Sequence, residues 1–440
     1  MRAASGSPNR VEDSLTGGIH MANRVKDLLN RPISRRAFGI GAGAAVAAAV
    51  TPFNIVRAQG GPLKVGVILP KSGVQAQIGQ SCQRGVDLAQ DMLNDLGYSV
   101  QLQIMNADSE TNVDVARSRA ERLIADGANL IIGAFDSGAT YAIAQVTEQH
   151  GVPFVVNIGS QPQVTESGYK WVVRNFPTTP QLIARGLERV KTFLAETKAA
   201  PKTAVYMHVN DTFGMAVSGA ITKLFPTMNM PFKIVEEISY DPAAKDLSVE
   251  VSKAKASGAD FVMVTTRIND AILLVREMVK QRFSPQGVIS PGSPGMYEAG
   301  FFSALGKYSD YCTSMVPWVN PKAPMTHKII EHFKKKFPND PVDPHIFNVS
   351  FTFEAFLVAA DAYKRAKTTN PAELMAALKS TKIDSHIMVG GPIEFDAKGQ
   401  NNGIVSVGLQ NFGGRAVVVL PKEAAERDPV FPVPGWNERT

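Results

Sequence analysis

Short runs of β-branched and aliphatic residues alternate with longer segments of helical periodicity along most of this chain. Uninterrupted apolar runs of this length are typical of strands that are buried on both faces of a parallel sheet. The segments between them have the apolar spacing of helices and end at glycines, which commonly terminate helices. The sequence therefore predicts an α/β unit with four strands, at residues 63–69, 100–105, 130–134 and 153–158.

A second unit of the same kind follows a Pro-containing connector at residues 174–180. Helical segments again separate its apolar runs, so the chain is predicted to form two similar lobes. The predicted strands of the second unit span residues 203–208, 232–238, 260–265 and 288–290. A third section contains predicted helices at residues 325–337, 347–367 and 372–380, then a hairpin of strands 404–410 and 416–420.

The first 58 residues follow the order of an export leader. A polar arm precedes the adjacent Arg35 and Arg36, a weakly apolar run spans residues 41–56, and small residues lie before Gln59. The paired arginines favour a signal peptide of the twin-arginine type, with Gln59 as the mature N-terminus and the periplasm as the location. A membrane anchor is the alternative, but the run is short, contains Pro52 and consists mainly of Ala and Gly.

Charge and cysteine content exclude several classes of protein. Residues 1–58 contain eight Lys and Arg but three Asp and Glu, so removing them lowers the formal net charge from +6 to +1. A near-neutral chain without a basic tract between aromatic residues is not expected to bind nucleic acid or anionic membranes. The remaining length exceeds one ordinary core and predicts two domains. Cys82 and Cys312 are too few for a disulfide framework, and two separate buried thiols are expected, with a single bridge between them as the alternative.

Sequence signatures of enzymes are absent from the chain. It has no Gly-x-Ser-x-Gly elbow, no phosphate-binding loop and no glycine triplet after the first strand. His327 and His332 are five residues apart, which does not place them on one helix face as two zinc ligands. The sequence therefore predicts no enzymatic activity, no cofactor and no metal site. A secreted enzyme that uses Asp108, Asp136 or His208 is a minor alternative.

Polar and small residues follow two neighbouring strands of the first lobe. Ser137 lies within residues 133–140, where a predicted strand passes into a helix, and Gly159 and Ser160 follow the next strand. Open parallel sheets bind ligands at the carboxyl ends of their strands, and the free N–H groups of a helix start favour anions. These residues therefore predict an anion pocket. The alternative is that Ser137 only caps its helix.

Several short motifs occur in a fixed order. They include Val65-Gly66-Val67-Ile68-Leu69-Pro70, Ile132-Gly133 followed by Ser137, Gly151-Val152-Pro153, Asp211-Thr212-Phe213-Gly214 and Phe395-Asp396-Ala397-Lys398-Gly399. Each motif is weak alone, but their order and spacing are specific and cover nearly the whole chain after the leader. In this respect the chain resembles the periplasmic Leu/Ile/Val-type solute-binding proteins of ABC importers, the type I periplasmic binding proteins.

The resemblance implies two Rossmann-like lobes with parallel sheets, joined by three crossovers near Phe176, Pro317 and Pro392. It also implies a receptor that closes its lobes on a small solute and docks on a membrane permease, acting as a monomer without a cofactor. The expected divisions are a leader at residues 1–58, lobe 1 at 59–176 and 318–391, lobe 2 at 177–317 and 392–423, and a polar tail at 424–440.

The resemblance further implies a ligand site in the cleft between the lobes. In that family, groups matching Ser137, Gly159 and Ser160 hold the ligand carboxylate in the first lobe. Phe213 resembles an aromatic residue that faces the cleft. Trp318 is expected to add a wall, with packing at the hinge as the alternative.

Two positions depart from the amino-acid binders of this family, in which an acidic residue on the second lobe receives the ligand ammonium. The matching loop, residues 290–295, has no acid, and Arg267 stands where a neutral aromatic residue is common. An arginine in a closed cleft favours a second anionic or hydrogen-bond-accepting group on the ligand. The alternative is that Arg267 points outward or pairs with Asp270, while Glu298 or Asp136 meets the ammonium.

The predicted ligand is therefore a small carboxylate-bearing solute, namely an aromatic acid, a dicarboxylate or an amino-acid-like compound. The same fold also serves in ligand-sensing proteins of signalling systems, which is the alternative function. The predicted ligand-binding residues are Ser137, Gly159, Ser160, Phe213, Arg267, Trp318 and Ile78.

Overall fold

The computed structural model describes residues 61–439, so the predicted leader and Gln59 lie outside the described residues. The described chain forms two lobes, each built around a sheet with helices packed on it. The predicted fold class, an α/β protein with two lobes of parallel sheets, is confirmed.

Lobe 1 is built on a five-stranded parallel sheet. Its strands are β1 (Leu63–Leu69), β2 (Leu102–Asp108), β3 (Leu130–Gly133), β4 (Phe154–Val156) and β5 (Val172–Arg174). The helices between them are α1 (Ala76–Asp95), α2 (Val113–Ala125), α3 (Ser137–His150) and the short α4 (Gln163–Glu166). The strand order is β2-β1-β3-β4-β5. Every residue of β3 and β4 is buried, which explains why these strands read as uninterrupted apolar runs.

Lobe 2 begins with five further strands and the helices between them. The strands are β6 (Thr203–Val209), β7 (Lys233–Tyr240), β8 (Phe261–Thr265), β9 (Val288–Ser290) and β10 (Thr313–Pro317). The helices are α5 (Thr179–Glu196), α6 (Thr212–Leu224), α7 (Ser248–Ala256), α8 (Ile268–Lys280) and α9 (Ala299–Leu305), with 3-10 turns at Phe225–Thr227 and Gly306–Ser309. The sequence did not predict β10, because hydroxyl residues and a proline interrupt its apolar pattern.

The last section of the chain returns to lobe 1 and then to lobe 2. In lobe 1 it forms α10 (Pro324–Lys336), α11 (Ile346–Ala366), α12 (Pro371–Lys379) and a ribbon of β11 (Lys382–Ile383) and β12 (Ile393–Glu394). In lobe 2 it forms an antiparallel hairpin of β13 (Ser406–Phe412) and β14 (Arg415–Leu420). The sheet of lobe 2 therefore has the order β14-β13-β10-β9-β8-β6-β7. The chain passes between the lobes three times.

Helix α11 is the central helix of lobe 1. Among residues 61–439 it alone is long and apolar enough to span a membrane, but 89% of its most apolar window is buried inside the protein. It packs closely on α1, where a Cβ at Gly85 would lie 2.4 Å from the carbonyl oxygen of Val349. The apolar composition of α11 is therefore that of a core helix.

Hydrogen bonds favour a third crossover that comes later than Pro392. The amide of Arg174 donates to the carbonyl of Gly399 at 2.8 Å, and the amide of Asn401 donates to the carbonyl of Arg174 at 3.0 Å. The chain as far as Asn401 thus lies beside β5 of lobe 1. We propose that lobe 1 extends to Asn401, and the other lobe boundaries stay predictions.

The segment predicted as a polar tail packs on lobe 2. Phe431 makes an edge-to-face contact with Phe261 at 6.2 Å between ring centroids, and both rings are buried. The indole N–H of buried Trp436 donates to the carbonyl of Phe283 at 2.6 Å. Two aromatic residues spaced among polar residues and prolines thus anchor a segment whose average composition is polar.

Candidate ligand-binding cleft

A cleft with about 380 Å³ of empty space, part of which is open to solvent, lies between the two lobes at the carboxyl ends of the strands of both sheets. Its polar side chains are Ser137 and Ser160 from lobe 1 and Arg267 and the phenol of Tyr297 from lobe 2. No carboxylate, lysine or histidine of the described chain lines it. The other lining residues are aliphatic, Gly, Pro or aromatic, and the aromatic ones are Phe135, Phe176, Phe213, Tyr297 and Phe347. The cavity is therefore an apolar chamber with one charged group.

Ser137 is the first residue of α3 and is buried at the cavity. The helix cap is its neighbour Asp136, whose carboxylate accepts hydrogen bonds from the amides of Gly138 and Ala139 at 2.9 and 3.1 Å. Within residues 61–439 the hydroxyl and the amide of Ser137 have no hydrogen-bond partner. Both donors of Ser137 are thus available to a ligand, and the cap role belongs to Asp136.

Ser160 supplies a second pair of donors from the loop after β4. Its hydroxyl lies 3.1 Å from the hydroxyl of Thr179, and its amide has no acceptor in the described part of the chain. Gly159 does not line the cavity, since its Cα lies against Thr140, where a Cβ would be 2.3 Å from the hydroxyl oxygen. Gly159 therefore allows the close approach of two segments, while Ser160 faces the cavity.

Arg267 lines the cavity from lobe 2 and is held by two carboxylates. Its Nε lies 2.9 Å from Asp211 of lobe 2, and its Nη2 lies 3.6 Å from Asp136 of lobe 1. The guanidinium carbon lies 4.6 Å from the ring centroid of Phe213. Burial alone would lower the pKa of Arg267, but the carboxylates of Asp211 and Asp136 outweigh burial and raise it. The side chain does not point outward; its backbone amide donates to Asp270 instead.

Trp318 and Ile78 were expected at the ligand, but neither lines the cavity. Trp318 stacks on Phe347 at 5.4 Å between ring centroids and meets Tyr297 edge to face at 5.1 Å. It therefore packs one layer behind the cavity wall, as the hinge-packing alternative describes. Ile78 is 1% exposed and lies in the core on the buried face of α1.

The two acids considered for a ligand ammonium lie outside the cavity lining. Glu298 is buried between the lobes, where the side-chain amide of Asn348 donates to both its carboxyl oxygens. Burial raises the pKa of Glu298 to about 8, against the opposing effect of the Asn348 hydrogen bond. Asp136 accepts from Gln75 at 2.9 Å in addition to its cap and its ion pair.

Four aromatic lining residues were not predicted. Phe135 lies in the strand-to-helix loop that leads to Ser137 and has a φ of 70°. Its nearness to Ser137 in the sequence could have identified it as a candidate lining residue. Tyr297 and Phe347 come from different lobes and their rings lie 5.3 Å apart. Phe176 packs edge to face on Phe347, at 6.2 Å. Such contacts depend on how the lobes meet, which local sequence patterns do not specify.

Metal and thiol chemistry have no organised site in the part of the chain that the structure describes. Within residues 61–439 no cluster of three His, Cys, Asp or Glu side chains is placed to hold a metal ion. Cys82 and Cys312 are separate, buried and unpaired, as expected. Burial raises the pKa of these thiols to about 12 and about 11, so both are protonated.

Two lobes built on parallel strands, joined by three connections around a cavity with unpaired hydrogen-bond donors, are the architecture of a two-lobed ligand-binding protein. A sequence profile of the periplasmic binding protein family matches residues 62–407. The chain belongs to this family.

The chain is also similar to a protein of this kind in sequence and to two solved structures in fold. The Leu/Ile/Val-binding protein homolog 8 of Brucella suis is 25% identical over 405 residues, covering 88% of this chain and 96% of the relative. LivJ of Streptococcus pneumoniae, a branched-chain amino acid transporter substrate binding protein in complex with isoleucine, has a TM-score of 0.69 at 18% identity and covers 82% of this chain and 100% of its own. An ABC transporter solute binding protein of R. palustris in complex with benzoate has a TM-score of 0.68 at 20% identity, covering 83% and 99%. The predicted family is confirmed.

Proposed function

We propose that this protein is the solute-binding receptor of an ABC importer and that its ligand is a small monocarboxylate with an aromatic or apolar body. The observation that carries this proposal is the cavity lining, which combines one cation, two serines with free donors and five aromatic rings. Ligand pockets of this kind use an apolar chamber for affinity and a few placed polar groups for orientation.

The ligand carboxylate binds where donors from both lobes converge. Ser137 and Ser160 offer hydroxyl and amide hydrogens from lobe 1. Arg267 approaches from lobe 2, and within the described chain its Nη2 makes no hydrogen bond. Hydrogen bonds from such groups to an ionised acceptor are stronger than those between neutral groups. A ligand that contacts both lobes stabilises the closed arrangement, which is how a hinged receptor responds to its solute.

The lining disfavours the other two ligand classes that the sequence suggested. An amino acid would bury its ammonium beside Arg267 with no lining carboxylate to receive it, which is costly in a low dielectric. A dicarboxylate would place its second charge against aromatic rings. The benzoate complex of the R. palustris protein supports the choice of an aromatic acid, whereas the isoleucine complex of the S. pneumoniae protein is the competing precedent.

We further propose that the protein is exported by the twin-arginine route, works in the periplasm as a monomer and delivers its ligand to a membrane permease without catalysing a reaction. The support for export is the paired Arg35 and Arg36 ahead of the weakly apolar run. The support for a transport role is membership of the periplasmic binding protein family.

The test is a thermal-shift screen of residues 59–440 followed by calorimetry. The ligands are benzoate and hydroxybenzoates, with leucine, succinate and benzamide as matched comparisons. A ligand at 100 times its dissociation constant adds about 2.7 kcal/mol to stability, so a true ligand raises the melting temperature clearly. We expect benzoates to raise it most. A rise with leucine alone would contradict the ligand class, and no rise with any compound would contradict the receptor function.

A further inference from the structure

A second arginine lies behind the cavity wall, and its environment is unlike that of Arg267. Arg174, at the end of β5, is fully buried. Its Nη1 donates to the carbonyls of Gly159 and Gln161 at 3.2 and 2.6 Å. Its Nε donates to the Gln400 side-chain oxygen at 2.8 Å, and its Nη2 donates to the Thr165 hydroxyl at 2.6 Å. Every partner of this guanidinium within residues 61–439 is a neutral oxygen.

The two carbonyls held by Arg174 flank Ser160 in the sequence. The hydrogen bond to the Gly159 carbonyl acts on the peptide group that also contains the Ser160 amide. A donor on the oxygen of a peptide polarises it and strengthens its N–H as a donor in turn. That N–H has no acceptor in the described chain, and Ser160 is one of the residues that line the cavity. Arg174 therefore fixes and polarises one of the proposed carboxylate donors.

The two arginines differ in how far nearby carboxylates compensate their positive charge. Arg267 is paired with Asp211 and Asp136, so its positive charge is already matched by two carboxylates. Arg174 has no such partner. Burial lowers the pKa of Arg174 to about 9, with Glu166 and Asp396 opposing from a distance, so the group is cationic at neutral pH. A buried, unmatched cation is costly in the empty protein, and an arriving anion offsets part of that cost.

We propose that Arg174 is a positioning residue that makes the Ser160 end of the cavity selective for an ionised carboxylate over a neutral group of the same shape. This inference rests on the proposed function. It assigns part of the charge selectivity to a residue that does not line the cavity, in addition to the direct contact with the carboxylate that is proposed for Arg267.

Calorimetry with benzoate and its neutral isostere benzamide tests the proposal. The quantity to compare is the ratio of the benzamide to the benzoate dissociation constant in the wild type, Arg174→Gln and Arg174→Lys. We expect the ratio to fall about tenfold in Arg174→Gln, which removes the charge, since hydrogen bonds to charged groups carry such a preference. Arg174→Lys keeps the charge but cannot bridge both carbonyls, so both ligands weaken and the ratio holds.

Arg439→Gln is the matched control, because Arg439 is a buried arginine of lobe 2 that does not line the cavity. We expect it to lower the melting temperature without changing the ratio. An unchanged ratio in Arg174→Gln overturns the inference. If Arg174→Gln does not fold, Arg174→Lys decides the question. A fall in the ratio of the benzamide to the benzoate dissociation constant in Arg174→Lys also overturns the inference. A wild type that binds neither compound refutes the proposed function itself. Failure of the proposed function is thus distinguishable from failure of the inference about Arg174.

Discussion

The side-chain amide of Asn348 on α11 donates to both carboxyl oxygens of Glu298, at 3.1 and 2.9 Å, and thereby joins lobe 1 to lobe 2 in the interior. Burial raises the pKa of Glu298 to about 8 from its ordinary 4.5, although the hydrogen bond from Asn348 acts in the opposite direction. Glu298 is therefore predominantly neutral in the folded protein at pH 7. This contact between Glu298 and Asn348 is therefore a hydrogen bond between two neutral groups.

Glu298→Gln should remove part of the pH dependence of stability. The folded protein keeps a proton on Glu298 that the unfolded chain releases above its ordinary pKa of 4.5. Its contribution to stability is thus complete below pH 4.5 and is lost as the pH rises through about 8. The wild type should lose up to about 1.4 kcal/mol per pH unit more than the variant in this window. Urea unfolding between pH 5 and 8 measures this, with Glu331→Gln, at an exposed position, as control. If the free energy of unfolding depends on pH in the same way in Glu298→Gln and in the wild type, Glu298 is not the group that keeps the proton.

Ser137→Ala should weaken ligand binding without changing stability. The variant loses a cavity hydroxyl, while the α3 cap stays intact because Asp136 provides it. Loss of one hydrogen bond to a carboxylate corresponds to about tenfold weaker benzoate binding. Asn112→Ala removes the cap of α2 and is the complementary control. That variant should lose about 1 kcal/mol of stability and keep its affinity. A Ser137→Ala protein that melts early with unchanged affinity would restore the cap interpretation.

Asp211→Asn should tighten the binding of an aromatic carboxylate. The substitution removes one of the two negative charges beside Arg267 and keeps an oxygen that can cap α6, where Asp211 accepts from the amide of Gly214 at 2.7 Å. Calorimetry with benzoate should show a lower dissociation constant, and benzamide should show little change. Asp241→Asn replaces an exposed acid of the same lobe and serves as control. Weaker benzoate binding in Asp211→Asn would contradict this prediction. It would mean that Asp211 matters more for orienting the guanidinium of Arg267 than for compensating its positive charge.

Trp318→Ala should affect both stability and affinity. Trp318 supports the rings of Phe347 and Tyr297, so its removal leaves a void behind the cavity wall. The expected cost is about 3 kcal/mol, and the two displaced rings should weaken benzoate binding. Trp436→Ala also removes a buried tryptophan, but from a hydrophobic cluster of lobe 2 that contains none of the cavity-lining residues. It should lower the melting temperature and leave affinity unchanged. Unchanged benzoate affinity in Trp318→Ala would show that Phe347 and Tyr297 keep their positions in the cavity wall without Trp318.

The fold was accessible from the sequence because buried parallel strands carry continuous apolar runs. β3 and β4 lie inside lobe 1 with every residue buried, and both were predicted. β10 was missed although it is also buried, because its sequence contains Thr, Ser and Pro. The hydroxyl of Thr313 is satisfied by contacts with Tyr311 and Gln410, which a local pattern cannot reveal.

Only part of the candidate site could be predicted from the sequence, because some of its residues are brought together by long-range packing. Ser137, Ser160 and Arg267 lie in or next to the loops that follow strands β3, β4 and β8, and parallel strands bring such positions to one edge of a sheet. Tyr297 and Phe347 reach the cavity through the meeting of the two lobes, which depends on long-range packing. Trp318 also follows a strand, β10, but its side chain turns to the layer behind. Chain position thus predicts nearness to the cleft but not which way a side chain turns.

The burial of Phe431 and Trp436 against lobe 2 has a practical consequence for protein engineering. The guanidinium of Arg439 donates to the carbonyl of Asp310 at 2.6 Å, so ordered structure continues to that residue. A purification tag or fluorescent reporter placed directly after this segment would sit on the body of lobe 2, and shortening the segment to accommodate a fusion would uncover aromatic surface. A reporter of lobe closure is therefore better attached through a flexible spacer, with a label on lobe 1 as its partner.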